Sequence, residues 1–209
     1  LDRFDVAWLD PGERRSPTLL VAPLSVAGVL LEGLFAEVPV VLTSATLTLG
    51  GSIEPLAVSV GLPSEQEGWT GLDVGSSFDH ARQGILYSPA HLPPPGREGV
   101  DEAALHELAD LLIAAGGRTL ALFSSWRGVE RAAETVSAVL TDRGLAEQLP
   151  LLVAQRGDSV TDLVTQFAAD ERTSLFGTMT LWQGVDVPGR ACSLVVIDRI
   201  PFPRPDDPV

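Results

Sequence analysis

At 209 residues and 45% hydrophobic content, the chain is long enough to bury one large α/β core or two smaller ones. It has no uninterrupted apolar run of about 18 residues, its opening LDRFDVAW lacks the regions of a signal peptide, and its single Cys192 excludes an internal disulfide framework or a four-cysteine metal or iron–sulfur site built from this chain alone. A net charge of −14 argues against binding nucleic acid by bulk electrostatics, and because all 14 basic residues are arginine the phosphate loop G-x-x-x-x-G-K-[ST] cannot occur here.

In chain order, Thr18–Val21 reads as a short strand, Ser25–Ala36 as a helix capped by Ser25, and Pro39–Thr43 as a buried β-branched strand. Together they predict a βαβ unit. Ile53–Val60 reads as a short helix and Gly61–Ser77 as an irregular stretch rich in Gly, Pro and Ser. A second alternation starts near Gly84, with a strand at Ile85–Tyr87, a proline-rich loop at His91–Gly96 and a helix at Asp101–Ala115 capped by Asp101. Strands at Thr119–Phe123, Leu151–Ala154 and Ser174–Phe176 then alternate with helices at Arg127–Leu140 and Thr161–Ala169, and a last strand, Ser193–Ile197, precedes the tail RIPFPRPDDPV. Alternating strands and helices predict an α/β fold with a parallel sheet. The change of composition predicts two lobes, residues 1–76 and 77–209. The first is too small for a complete α/β domain and is expected to be the end of one.

In an open parallel sheet, ligands bind beyond the carboxyl ends of the strands, where helix N-termini converge. Three predicted strands end in small hydroxyl residues: VVLTSAT at Val40–Thr46, LALFSSW at Leu120–Trp126 and SLFGTMT at Ser174–Thr180. Such hydroxyls either cap the next helix or donate to phosphate oxygens, and both uses can coexist. The run FGTMTLWQGVDVPG, Phe176–Gly189, adds Trp182 and Asp186 to a glycine-rich turn suited to phosphate and ribose. Trp182 reads equally as a stacking platform or as core. His80, His91 and His106 are spaced too widely for a metal cluster, so no metal site is expected. Cys192 is expected to be a small buried hydrophobe.

These residues carry a family resemblance. TSATL at Thr43–Leu47 resembles motif III of superfamily 2 helicases, FSSW at Phe123–Trp126 resembles motif IV, and FGTMTLWQGVDVPG resembles motif V of the DinG and XPD-like DNA helicases. The tail VIDRIPFPRPDDPV is similar to the stretch that follows motif V in the DinG branch. The resemblance implies a RecA-like parallel sheet with helices on both faces: residues 1–76 would close a first motor domain, and residues 77–209 would form most of a second, truncated before motif VI. It implies an ATP- and Mg²⁺-dependent motor that translocates 5′ to 3′ on single-stranded or forked DNA, in repair or replication. The nucleotide and metal would be held mainly by residues outside this chain, and the iron–sulfur cysteines carried by only part of the family would, where present, lie upstream.

By the same resemblance, Ser44 and Thr46 couple nucleotide state to DNA. Gln183, Gly184 and Asp186 face ATP, Gln183 standing where many relatives carry Glu. Ser124, Ser125, Thr178 and Thr180 contact the DNA backbone. Arg199 either reaches a DNA phosphate or pairs with Asp198 or Asp206. A monomeric, cytoplasmic protein is expected, and the isolated chain is expected to be inert. The residues themselves also suit a non-catalytic α/β nucleotide- or phosphate-binding module, or a degenerate helicase scaffold.

Overall fold

The computed structural model describes residues 5–10, 16–62, 68–93, 96, 99–182 and 185–201. They fall into two compact units that part between Leu86 and Tyr87. Among the described residues no helix is long and apolar enough to cross a membrane.

In the first unit, β1 (Asp5–Asp10) and β2 (Thr18–Pro23) pair antiparallel, from Asp5 opposite Pro23 to Asp10 opposite Thr18. The strand expected at Thr18–Val21 is therefore present, but the parallel βαβ unit is not. Its partner, β1, escaped the reading, although Pro11 and Gly12 between the two strands are a turn signature. Pro39–Thr43, expected as a buried strand, is neither paired nor buried, and Val41 is 85% exposed. A β-branched run becomes a strand only where a neighbour satisfies its backbone groups, and no described segment does so here.

The helix expected at Ser25–Ala36 is shorter and forms in two pieces, α1 (Ala27–Leu30) and a π-helical turn over Leu31–Phe35. Gly28 and Gly33 weaken its helical propensity. The cap position falls on Val26, while Ser25 Oγ accepts from the Ala27 N–H at 3.3 Å. The helix α2 (Glu54–Ser59) forms as expected, with Pro55 in its first turn. A further turn, α3 (His80–Gln83), is capped by Asp79. Ile85–Tyr87, expected as a strand, is also unpaired among the described residues.

The second unit is a three-layer α/β structure. Its helices and strands are α4 (Glu102–Ala115), β3 (Thr119–Phe123), α5 (Trp126–Asp142), β4 (Leu151–Val153), α6 (Val160–Ala169), β5 (Ser174–Thr178) and β6 (Leu194–Ile197). The four strands form one parallel sheet in the order β4-β5-β3-β6. β3 and β5 occupy the centre and are buried throughout, which explains their continuous apolar runs. Alternate side chains of β3 serve opposite faces. Ala121 and Phe123 pack with Phe176 of β5 under α4 and α5, through Leu105, Leu112, Val129 and Val136. Leu120 and Leu122 pack with Leu175 on the other face, under Leu163 and Phe167 of α6. The two-residue period of the strands thus divides the core into two layers.

Local chemistry sets the element boundaries. Asp101 caps α4 by accepting from the Ala103 N–H at 2.9 Å, Ser125 caps α5 by accepting from Gly128, and Ser159 caps α6 by accepting from Asp162. α4 ends on Gly116 and Gly117, both at positive φ. Gly117 also runs against the backbone of Arg172, where an added Cβ would lie 1.9 Å from the carbonyl oxygen.

Candidate functional site

Because β3, β4, β5 and β6 are parallel, their carboxyl ends share one edge of the second unit, and each end carries polar side chains. β3 delivers Ser124 and Ser125, β5 delivers Thr178 and leads to Thr180, β6 leads to Asp198 and Arg199, and the turn after β4 carries Arg156. Phe123 pairs with Thr178 and Leu122 with Ile197, so the ends of β3, β5 and β6 lie level with one another.

A pocket of about 230 Å³ opens at the β3 and β6 ends, lined in part by Ser124, Ser125, Arg127, Arg131, Asp198 and Arg199. α5 begins at its wall. The first N–H groups of a helix have no intrahelical acceptor and carry the positive end of its dipole, so this wall favours an anion. Ser125 accepts from Gly128 N–H at 3.1 Å through Oγ, and its own hydroxyl hydrogen is free to donate. Arg127 is exposed and has no ion-pair partner among the described residues. Arg131 is partly committed, donating to Val100 O at 3.0 Å.

Ser124 is engaged differently. Its N–H and its hydroxyl both donate to Asp198 Oδ2, at 3.0 and 2.8 Å. Neither donor faces outward in this arrangement. Arg199 lies with Nε 3.8 Å from the same oxygen, and its Nη2 donates weakly to Gly96 O at 3.5 Å. The alternative of an ion pair with Asp198 is thus the arrangement observed, and it leaves Arg199 at the rim of the pocket.

At β5, Thr178 is buried and Thr180 exposed, with their hydroxyl oxygens 2.9 Å apart. One bond between two hydroxyls uses one hydrogen and leaves the other uncommitted. Gly177, within β5, lies against the Leu181 side chain, which would have to shift to admit a Cβ. Trp182 is 45% exposed and so does not belong to the core. Asp186 is exposed on the loop that follows. Gln183 and Gly184 lie outside the described residues.

Ser44 and Thr46 belong to the first unit, where their hydroxyl oxygens lie 3.2 Å apart and Ser44 Oγ accepts from the Thr46 N–H at 3.2 Å. They sit in an exposed turn. Ser44 also borders an open concavity of about 920 Å³ among Phe35, Val40, Leu42 and Trp69, lined by no charged side chain among the described residues.

Sequence reading passed over Arg127, Arg131 and Arg156, and treated Asp198 only as a counter-ion. Arg127 and Arg131 had a signal, being four apart on one predicted helix just after FSSW. Arg156 stacks over Trp126 at 5.5 Å from the ring centroid, a cation–π contact between strand ends that no local pattern announces. Among the described residues no three His, Cys, Asp or Glu side chains converge as a metal site would require.

Residues 108–209 match the family model described as Helicase C-terminal domain. The chain is 55% identical over its whole length to the protein named ATP-dependent helicase DinG of Mycobacterium tuberculosis (strain ATCC 25618 / H37Rv), of which it spans 31%. It is 33% identical over 92% of its length to the ATP-dependent DNA helicase YoaA of Escherichia coli (strain K12), spanning 28% of that protein. It is also 33% identical over 98% of its length to the probable ATP-dependent helicase YpvA of Bacillus subtilis (strain 168), spanning 29%. The chain therefore covers about a third of the length of the curated relatives it matches. With the motifs, the parallel sheet and these matches in agreement, the chain belongs to the DinG-like helicase family.

Proposed function

We propose that this chain contributes the DNA-facing edge of one motor domain, and the end of another, to an ATP-dependent DNA helicase that couples ATP hydrolysis to movement along single-stranded or forked DNA. The observation that carries the reading is the β3/β6 pocket, where a helix N-terminus, Ser125 and three arginines converge at a sheet's carboxyl edge. A phosphodiester is the ligand whose charge and size suit that set. Ser125, Arg127 and Arg199 contact it, with Ser124 serving through its anchorage, and Thr178 or Thr180 donates to a neighbouring phosphate. Trp182 offers a face to a base.

Residues 1–76 are assigned to the end of the first motor domain and 77–209 to most of the second. Ser44 and Thr46 couple the nucleotide state to DNA, and Gln183, Gly184 and Asp186 form the ATP side of the motif V loop. ATP arrives with Mg²⁺, and because the chain has no lysine the main grip on the phosphates comes from residues elsewhere in the protein. A monomer acting in the cytoplasm, in repair or replication, completes the reading.

The test is ATPase activity with and without single-stranded DNA. The full-length protein should show DNA-stimulated turnover, Asp186→Ala should lower it while the protein stays folded, and the 209-residue chain alone should show none. Turnover by the isolated chain, or a full-length enzyme indifferent to DNA, would refute the proposal.

A further inference from the structure

Asp198 is buried to 3% side-chain exposure at the mouth of a pocket built for anions, where a carboxylate opposes the apparent purpose of the site. It also has more acceptor capacity than it uses: Oδ2 takes both donors of Ser124, while Oδ1 is buried with no partner among the described residues. A buried carboxylate oxygen without a partner is uncommon in folded proteins and calls for an explanation. Its backbone shows what the side chain is for. The Asp198 N–H donates to Leu122 O at 3.0 Å, continuing the parallel ladder between β3 and β6. Two residues on, just past the end of β3, the carboxylate takes the Ser124 N–H in place of the next backbone carbonyl. The side chain thus extends the sheet by one bond at the point where the main chain turns from β3 into α5.

We infer that Asp198 is a positioning residue for the phosphate contact at the start of α5. It acts through Ser124, 74 positions away in sequence. By fixing the direction in which Ser124 leaves the sheet, it aims the Ser125 hydroxyl and the first N–H groups of α5 into the pocket. Arg199, the next residue, is held at the rim by the same carboxylate. This inference rests on the reading of the pocket as a DNA-backbone site.

The experiment measures binding of labelled oligothymidylate to the full-length protein by fluorescence anisotropy between about 50 and 200 mM salt, with thermal melting in parallel. Asp198→Asn should weaken binding about tenfold and reduce the salt slope by about 0.7, the share of one single-strand phosphate. Ser124→Ala should weaken binding about threefold, and the double variant should bind no worse than Asp198→Asn. Wild-type binding by Asp198→Asn, additive losses in the double variant, or a lowered melting temperature with an unchanged salt slope would each overturn the inference. Should Asp198→Asn not fold, Ser124→Ala decides alone, and wild-type affinity in that variant overturns it. Arg127→Ala separates the two levels. If it weakens binding while Asp198→Asn and Ser124→Ala do not, only the inference fails; if the wild type does not bind or Arg127→Ala has no effect, the pocket reading falls and the inference with it.

Discussion

Adjacent serines at the end of β3 carry different chemistry. Ser124 spends both donors on Asp198 and Ser125 keeps its hydroxyl hydrogen, a distinction invisible in FSSW because it depends on which strand lies beside β3. The serines, threonines and Asp186 were legible in the sequence as residue types at strand ends. Their partners were not, since hydrogen bonding across parallel strands joins residues far apart in the chain. Cys192 shows the same limit in milder form: read as buried, it is half-buried, with its thiol donating to Leu194 O at 3.9 Å. Burial disfavours the thiolate and pushes the thiol above its ordinary value, against a smaller opposing effect of a hydrogen bond from the Leu120 backbone. Less thiolate is therefore present at any pH below that raised value, and alkylation by iodoacetamide should proceed more slowly than for an exposed cysteine. Its rate against pH should rise only at higher pH than for a free thiol; an inflection at or below the free-cysteine value would contradict this.

The elements of the second unit were legible because their signals are local. Asp101, Ser125 and Ser159 mark helix starts, and the apolar runs LALF and SLFG mark strands buried on both faces. The turn from α4 into β3 holds three successive residues at positive φ, Gly116, Gly117 and Arg118. Arg118, the non-glycine among them, donates from Nε and Nη2 to Ala115 O at 2.8 and 2.6 Å and so ties off the helix end that bends there. Gly117→Ala combines a strained φ with a clash against Arg172 backbone, which cannot swing aside as a side chain would. It should destabilise the second unit by about 2 kcal/mol or more, read as a fall in melting temperature. Before α4, the Tyr87 hydroxyl and His91 Nε2 both meet the Glu107 carboxylate, the latter at 2.6 Å. The Tyr87 bond is the main cause holding the Glu107 carboxyl below its ordinary range, and it raises the Tyr87 phenol in return. These contacts fasten the segment that opens the second unit onto α4.

At the scale of the whole molecule, the two units differ in how far they satisfy themselves. The second has a sheet covered on both faces by its own helices. The first has a two-stranded sheet and a β-branched run, PVVLT, with no ladder beside it among the described residues. That contrast explains the uneven legibility of the sequence: local patterns succeed where the partners are present and overreach where a strand would need a neighbour that no described segment offers. It also bears on handling the protein in solution. Val41 at 85% exposure, Ile85 at 96% and Leu86 at 97% present bare apolar side chains on segments whose backbones are unpaired. Such surfaces recruit one another. A preparation of all 209 residues should therefore grow in apparent size with concentration in light scattering, whereas a preparation beginning at Tyr87 should scatter as a single species. The bare run PVVLT thereby sets a practical limit on solubility, and shielding it with a charged substitution such as Val41→Glu should raise the concentration at which the chain first becomes turbid.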